Sequence, residues 1–232
     1  VGRTGAGKST LLQAILQAFR RGKKAVYTSP IKALSNQKYR ELKEEFGDGG
    51  VPTVQWQLDP FGHSATHAAL LSAEAGMDAL FFGRIDYQDR ELRQKNAQCE
   101  GVWRASPSLG DDAEVFWGLT GSYGGNYGAP DGFCFDSFCD TAEPVQDDTY
   151  LHDYNVDARV AQFVEAAVSQ AEMTQGNHIM FTMGSDFQYE AASEWYSNLD
   201  KMIHYTNADE AAAKVVNVFY STPTQYMEAK NA

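Results

Sequence analysis

The amino end of the sequence carries a glycine-rich run of the kind that binds phosphate. Residues 2–9 spell Gly-x-x-x-x-Gly-Lys-Ser, a full match to the phosphate loop. In that motif backbone N–H groups approach the phosphates, the lysine reaches the outer phosphates and the serine ligates magnesium. The residues that would take these roles are Gly5, Gly7, Lys8 and Ser9. The string predicts an ATP and magnesium site; the alternative is a remnant that binds at most a phosphate.

A second feature that could take part in a reaction is a pair of carboxylates, each placed just after a predicted strand. Asp59 follows the alternating apolar pattern of residues 54–58, and Asp186 follows the apolar run 179–183. In parallel α/β folds, sites form beyond the carboxyl ends of the strands. These two aspartates are therefore the first candidates for catalysis, although an aspartate in such a position is otherwise a helix N-cap.

The elements that would hold the two carboxylates follow from hydrophobic periodicity. Residues 51–223 read strand, helix, strand, helix, long loop-rich excursion, helix, strand, helix, strand. The predicted strands are 54–58, 78–82, 179–183 and 215–220; the predicted helices are 64–76, 88–98, 156–171 and 189–204; the excursion is 104–150. This alternation predicts an α/β fold with a parallel sheet.

Charge separates the chain into two parts. The 232 residues carry a net charge of −12, which disfavours a dedicated nucleic-acid binder. Residues 1–45 hold ten basic and three acidic side chains (+7), whereas residues 46–232 hold nine and twenty-eight (−19). The composition excludes disorder, collagen and coiled coil. No run approaches eighteen apolar residues, so no membrane span is predicted. Oligomeric state is left open.

The first segment resembles two families of nucleotide-binding proteins. Residues 25–42, Ala-Val-Tyr-Thr-Ser-Pro-Ile-Lys-Ala-Leu-Ser-Asn-Gln-Lys-Tyr-Arg-Glu-Leu, are similar to the motif after the phosphate loop in exosome-associated DExH-box RNA helicases. The loop itself is closer in wording to that of ABC transporters. The Asp-Glu-x-His/Asp box and arginine-finger motifs that ATP hydrolysis needs are missing downstream.

The second segment resembles lysosomal-type α-mannosidases of glycoside hydrolase family 38. Five motifs occur in the family's order and near its spacing over residues 46–232. They are Trp56-Gln-Leu-Asp-Pro-Phe-Gly-His-Ser64, Leu80-Phe-Phe-Gly-Arg-Ile-Asp-Tyr-Gln-Asp89, Val102-Trp-Arg-Ala-Ser-Pro-Ser-Leu109, Met183-Gly-Ser-Asp-Phe-Gln-Tyr-Glu190 and Tyr220-Ser-Thr-Pro223.

This resemblance implies roles for particular residues. A retaining glycosidase uses an ionised carboxylate and a protonated one about 5 Å apart. Asp59 matches the family nucleophile, which is also a zinc ligand, and Asp186 matches the acid/base. Arg84 matches an arginine that orients the nucleophile region; alternatively it pairs with Asp86 or Asp89 on the surface. Asp136 matches a sugar-contacting position. The family pattern joins Cys134 and Cys139 in a disulfide, which fits a lysosomal or secretory compartment.

Three of the family's four zinc ligands are not matched in this sequence. Family members carry a His-x-Asp zinc pair on an earlier strand and a further zinc histidine downstream. His63, close to the matched nucleophile, is expected to be a hydrogen-bonded structural residue. With Asp59 as the one matched ligand, we expect an incomplete zinc site and no turnover by the chain alone.

These observations define one interpretation and two rivals. Residues 46–232 are interpreted as a parallel-sheet α/β fragment of a family 38 catalytic domain, and residues 1–45 as a short phosphate-loop α/β segment before it. The expected partners are α-mannoside glycans rather than nucleic acid. One rival is an ATP-binding, helicase-like module with a mannosidase-derived scaffold; the other is a composite sequence without natural activity.

Overall fold

The computed structural model describes residues 51–121, 125–139 and 143–231, together with the isolated positions 40, 43, 44 and 47. The chain divides into two compact units, Val1–Pro52 and Thr53–Ala232. The elements below belong to the second unit. The predicted phosphate loop at residues 2–9 lies outside the described residues.

A small mixed sheet forms the framework of the second unit. Its four strands are β1 (Val54–Gln57), β2 (Ala79–Phe82), β3 (Glu100–Arg104) and β4 (Glu114–Leu119), in the spatial order β1-β2-β4-β3. The pairs β1–β2 and β2–β4 are parallel, and β3 pairs antiparallel with β4. All four residues of β2 are buried, as expected for a central strand covered on both faces.

Helices alternate with these strands along the described chain and continue after the last one. They are α1 (Ala65–Ala73), α2 (Tyr87–Lys95), α3 (Val156–Ala171), α4 (Ala192–Ala208) and α5 (Pro223–Lys230). Ser64 caps α1 by accepting from the His67 N–H, and Asp86 caps α2. The α5 helix begins with a capping box between Thr222 and Gln225. No helix among the described residues has the length and apolarity that crossing a membrane requires.

Two principal apolar cores hold these elements together. The first lies against the sheet and includes Ala68, Leu80, Phe82 and Val115. The second lies among α3, α4 and the segment before α3, with Trp195 and Met202 at 0% and 1% exposure. Residues 179–183 contact two clusters. Met180 packs on a smaller cluster that contains Phe81, whereas Phe181 and Met183 pack on the second core.

The predicted excursion at residues 104–150 was wrong in its first part. Its residues 114–119 form β4, and residue 104 ends β3. Turn-rich sequence on both sides of β4 hid a strand that is stabilised by long-range packing, with Trp117 stacked on Phe82 at 5.6 Å. Because β3 runs antiparallel, the sheet is mixed rather than wholly parallel.

Two predicted strands do not form in the structure described for 143–231. Residues 179–183 alternate in packing as a strand would, but their backbone joins no sheet ladder. Residues 215–220 also lack a neighbouring strand. At Val218 the side-chain amide of Asn207 on α4 takes that place, because it accepts from Val218 N at 2.9 Å and donates to Val218 O at 2.7 Å.

The remaining predicted elements are confirmed with shifted ends. The strands β1 and β2 and the helices α1, α2 and α3 lie where periodicity placed them. The fourth predicted helix, 189–204, forms instead as Ala192–Ala208. It starts late because Phe187 and Tyr189 have positive φ angles of 60° and 67°, which interrupt a right-handed helix.

Candidate active site

The carboxyl ends of β1 and β2 bring Asp59 and Arg84 together. Gly83 N donates to Leu58 O at 3.1 Å, which continues the parallel pairing one step beyond the strands. Arg84 then donates from Nε at 2.7 Å and from Nη2 at 2.6 Å to the same oxygen, Asp59 Oδ1. The alternative that Arg84 pairs with Asp86 or Asp89 is not what the structure shows. Its guanidinium also lies 4.8 Å from the ring centroid of Phe61.

Tyr127 is a member of this site that sequence reasoning missed. Its hydroxyl donates to Asp59 Oδ1 at 3.1 Å. Tyr127 lies in a glycine-rich loop that neither period nor motif singled out. The loop is held over the strand ends, because Thr120 Oγ1 donates to Asn126 O at 2.9 Å. The sequence feature that could have indicated Tyr127 is its place among several glycines, but this feature does not predict a hydrogen bond to Asp59.

Arg90 on α2 holds together the segments that follow β2 and β4. Its side chain is 8% exposed and donates to Gly83 O, to Thr120 O at 3.5 Å and to Asn126 Oδ1 at 3.5 Å. Burial lowers the pKa of this guanidinium. The carbonyls it binds belong to the segments that carry Arg84 and Tyr127, so Arg90 supports the site without entering it.

The charges at the site hold Asp59 ionised. The hydrogen bond from Arg84 lowers the pKa of Asp59, and the bond from Tyr127 adds to this effect against an opposing contribution from burial. Burial raises the pKa of Tyr127, as do the hydrogen bond to Asp59 and the negative charge of Asp186. At neutral pH the arrangement is a carboxylate between a guanidinium and a protonated phenol.

Asp186 approaches the same loop from another segment. Thr182 Oγ1 donates to Gly128 O at 3.2 Å, which attaches the segment before Asp186 to the loop that carries Tyr127. Asp186 also acts electrostatically on the Tyr127 hydroxyl that binds Asp59. The loop that carries Tyr127 therefore contacts Asp59 at one strand end and the segment before Asp186.

Asp136 lies in the second core, in contact with protein donors. Oδ2 accepts from Trp195 Nε1 at 2.9 Å and from Tyr189 N at 3.0 Å, and Oδ1 accepts from Phe138 N at 3.2 Å. Burial alone would raise the pKa of Asp136, but these hydrogen bonds outweigh it and the pKa is lowered. Contact of Asp136 with a sugar stays a prediction.

The disulfide implied by the resemblance is confirmed. Cys134 and Cys139 are bonded, with their Cα atoms 6.1 Å apart. The loop that they close contains Asp136. Gln188 Nε2 lies 3.2 Å from Cys134 Sγ and 3.4 Å from Cys139 Sγ. The disulfide loop therefore contacts the chain two residues after Asp186.

The described residues do not fit a zinc centre. They contain no group of three or more histidine, cysteine, aspartate or glutamate side chains that could hold a metal. His63, the histidine nearest to Asp59 in sequence, donates from Nε2 to Arg84 O at 2.7 Å and packs on Phe82. It is a hydrogen-bonded structural residue, as expected. Asp59 Oδ1 already accepts from Arg84 and Tyr127.

Comparison with known proteins identifies the family of the chain. The sequence model of the glycosyl hydrolases family 38 N-terminal domain matches residues 32–232. A probable alpha-mannosidase of Arabidopsis thaliana is 52% identical over 181 residues, 78% of this chain and 17% of that protein. The alpha-mannosidase of Canavalia ensiformis is 46% identical over 194 residues, 84% and 19% of the two chains. Lysosomal alpha-mannosidase of Homo sapiens is 43% identical over 189 residues, 81% and 18%.

The chain belongs to glycosyl hydrolase family 38. It spans less than a fifth of the length of the relatives named above. The family match begins at residue 32, inside the segment that resembles helicases. The boundary predicted from the sequence between the helicase-like and mannosidase-like segments lies later, between residues 45 and 46. The helicase-like and phosphate-loop assignments of residues 1–45 stay predictions.

Proposed function

We propose that this chain carries the two catalytic carboxylates of a retaining α-mannosidase, with Asp59 as nucleophile and Asp186 as acid/base. The observation that carries the proposal is the hydrogen-bonded group at the carboxyl ends of β1 and β2, where Arg84 and Tyr127 both donate to Asp59 Oδ1. The segment before Asp186 contacts the loop that carries Tyr127, through Thr182 Oγ1 and Gly128 O. A nucleophile must be ionised and aimed, and a second carboxyl group must be near it.

The chemistry follows from these residues. In a complete active site, Asp59 would attack the anomeric carbon of an α-mannoside, and a glycosyl ester would form as the glycosidic bond breaks. Asp186 would give its proton to the leaving oxygen and then remove a proton from the water that hydrolyses the ester. Arg84 and Tyr127 hold one oxygen of Asp59 and leave the other to react. Their hydrogen bonds also stabilise the carboxylate released when the ester is cleaved.

The relatives and the disulfide support the substrate class and compartment. The relatives are named alpha-mannosidases, and one is named lysosomal, so we propose α-mannose residues of glycans as the substrate. A disulfide persists in oxidising compartments, which supports a lysosomal or secretory location.

Zinc, which the family resemblance implies, is not used in this mechanism. Asp59 is the matched zinc ligand, and the structure described here does not group other metal-binding side chains around it. A catalytic zinc site normally has three protein ligands. We therefore propose a sugar site without turnover for the chain by itself.

Sugar binding by the purified chain tests this proposal without requiring turnover. Methyl α-mannoside should shift the NMR signals of the Arg84 Nε–H and of the Tyr127 ring. Methyl α-glucoside, which differs at the 2-hydroxyl, is the matched control and should shift them less. The variant Asp59→Asn should lose the mannoside response. Equal responses to the two sugars, or none to either, would overturn the assignment of the site.

A second candidate function is supported by the phosphate-loop string at residues 2–9. Its lysine and serine would bind ATP with magnesium. ATP titration of the chain and of Lys8→Ala tests it, and binding that is unaffected by the substitution would contradict it.

A further inference from the structure

The segment that carries Asp186 has an unusual backbone for its sequence. Phe187 and Tyr189 both adopt positive φ, at 60° and 67°, although neither is glycine. Bulky residues rarely take this conformation, and it persists where the surroundings over-determine it. The contacts that hold residues 183–189 are therefore of interest for the placement of Asp186.

One set of contacts closes the segment on itself. The Tyr189 hydroxyl donates to Met183 O at 2.7 Å, so the two ends of the segment are joined across Asp186. The ring of Tyr189 stacks on Trp195 with centroids 4.7 Å apart and planes at 9°. The Tyr189 ring also fills the space beside Gly184, where an added Cβ would lie 2.8 Å from it.

A second set of contacts ties the segment to the disulfide loop. Asp136 accepts from Tyr189 N at 3.0 Å and from Trp195 Nε1 at 2.9 Å, while its other oxygen accepts from Phe138 N. Gln188 contacts both disulfide sulfurs. Asp136 thus links three parts of the chain through one carboxylate that is 7% exposed.

We propose that Asp136 is a positioning residue for Asp186. Its carboxylate fixes Tyr189 in the left-handed conformation and, with Gln188 on the disulfide, sets the path of the chain two residues after the acid/base. The inference rests on the proposed function, because it assigns the purpose of the contacts to Asp186. This role is different from a direct contact between Asp136 and a sugar, because both carboxylate oxygens accept hydrogen bonds from protein N–H groups.

NMR of the purified, oxidised chain tests this proposal through the environment of Asp186. In Asp136→Leu the carboxyl ¹³C signal of Asp186 should move and broaden, and the Trp195 indole N–H signal should move. The Tyr189 amide should exchange about tenfold faster or more, because a hydrogen bond to a charged acceptor is lost. Asp136→Asn, which keeps an acceptor oxygen, should restore part of each effect.

Asp147→Asn is the matched control. Asp147 is another carboxylate that binds α4, through Lys201 Nζ at 2.7 Å and the Tyr205 hydroxyl at 3.0 Å. Its loss should leave the Asp186 and Tyr189 signals unchanged. If the Asp136 variants do not fold, Trp195→Phe keeps a smaller aromatic ring at this position and removes the Nε1 donor, and should move the Asp186 signal in part.

An Asp186 signal that stays unchanged in the folded variants would overturn the positioning role. So would an equal change in Asp147→Asn, since a general loss of stability would explain it. The measurement contains no sugar, so its failure is separate from failure of the proposed function. The mannoside titration tests that function on the unsubstituted chain.

Discussion

The pKa of Asp59 is lowered by its neighbours, although its side chain lies at the surface. Its side chain is 55% exposed, and Arg84 and Tyr127 both donate to one oxygen. These bonds lower the pKa of Asp59. A carboxylate with a folded-state pKa below its unfolded value stabilises the fold above the unfolded pKa, and this contribution is lost as pH falls through the folded pKa.

Arg84→Gln should raise the pKa of Asp59, because the largest cause of its lowering is removed. Tyr127→Phe should raise the pKa by less, since the tyrosine bond is the smaller of the two lowering contributions. A ¹³C titration of the Asp59 carboxyl group in the three proteins measures both shifts. A larger effect from Tyr127→Phe than from Arg84→Gln would contradict this order.

Cys99 should be unreactive in the folded chain. Its thiol is 5% exposed, and burial raises its pKa to about 11. The thiolate is the reactive form, so little of it is present at pH 8. A thiol reagent should therefore detect no fast-reacting group in the oxidised native chain and one group after unfolding in urea. Rapid labelling of the native chain at pH 8 would show that Cys99 is accessible.

The sequence could predict the site residues that follow regular strands, and it missed the one held by a loop. Asp59 and Arg84 follow β1 and β2. Strand periodicity and the family motif both indicate Asp59, and the family motif alone indicates Arg84. The loop that carries Tyr127 is held by Thr120, just after the end of β4, and by Arg90, which is 36 residues before its partner Asn126. Such contacts depend on tertiary packing, which local patterns do not encode.

Gly83 controls how closely β1, β2 and the Tyr127 loop approach. A Cβ added there would lie 2.6 Å from both Leu58 O and Asn126 O, which are backbone atoms that move little. Gly83→Ala should therefore destabilise the chain by about 1–3 kcal/mol, as overpacking does. It should also weaken the bond between Tyr127 and Asp59. Urea unfolding and the Tyr127 ring signals measure the two effects.

Gly101→Ala on β3 is the control for that substitution. Its added Cβ would have its nearest contact at 3.5 Å, from Trp117 Nε1, which is an ordinary van der Waals distance. We expect a small change in the urea midpoint. Equal destabilisation by the two substitutions would indicate that loss of glycine, rather than close approach at Gly83, is responsible.

The α5 helix is attached to the sheet edge by a buried ion pair. Lys230 pairs with Glu100 on β3, both side chains are 6% exposed, and the Tyr226 hydroxyl donates to the same carboxylate at 2.7 Å. Lys230→Met should cost about 3 kcal/mol, because it leaves a buried carboxylate without its cation. Urea unfolding measures the loss.

Glu91→Gln is the matched control for the ion pair. It removes the pair with Lys95 on α2, whose side chains are both exposed. Such pairs contribute little because water screens them. Its unfolding midpoint should match that of the unsubstituted chain, and the midpoint of Lys230→Met should be clearly lower. Similar midpoints for all three proteins would refute a stabilising role for the buried pair.

One predicted strand, residues 215–220, does not pair with another strand because a side chain takes the place of the strand neighbour. Residues 215–220 have the apolar alternation of a strand, yet Asn207 satisfies the backbone of Val218. The strands β3 and β4 were missed for the opposite reason, since turn-forming residues flank a pairing that non-local contacts stabilise. Periodicity reports which side chains can be buried and does not report which backbone groups pair.

The whole chain should not hydrolyse mannosides with the help of zinc. Asp59 is the one ligand matched to the family, and each missing ligand weakens metal binding by orders of magnitude. The purified chain with added zinc should release no p-nitrophenol from p-nitrophenyl α-mannoside above a blank. A clear signal that a chelator and Asp59→Asn both abolish would show that other residues complete a metal site.

The amide of Asn207 also makes one part of this molecule sensitive to chemical ageing. Deamidation would turn its Nδ2 donor into a carboxylate oxygen, which faces the carbonyl of Val218 and repels it. The acceptor half of the contact would survive while the donor half became unfavourable. Slow hydrolysis of a single side chain would thus weaken the attachment of Val218 to α4, while the Tyr220 hydroxyl would still donate to Asp200 on that helix.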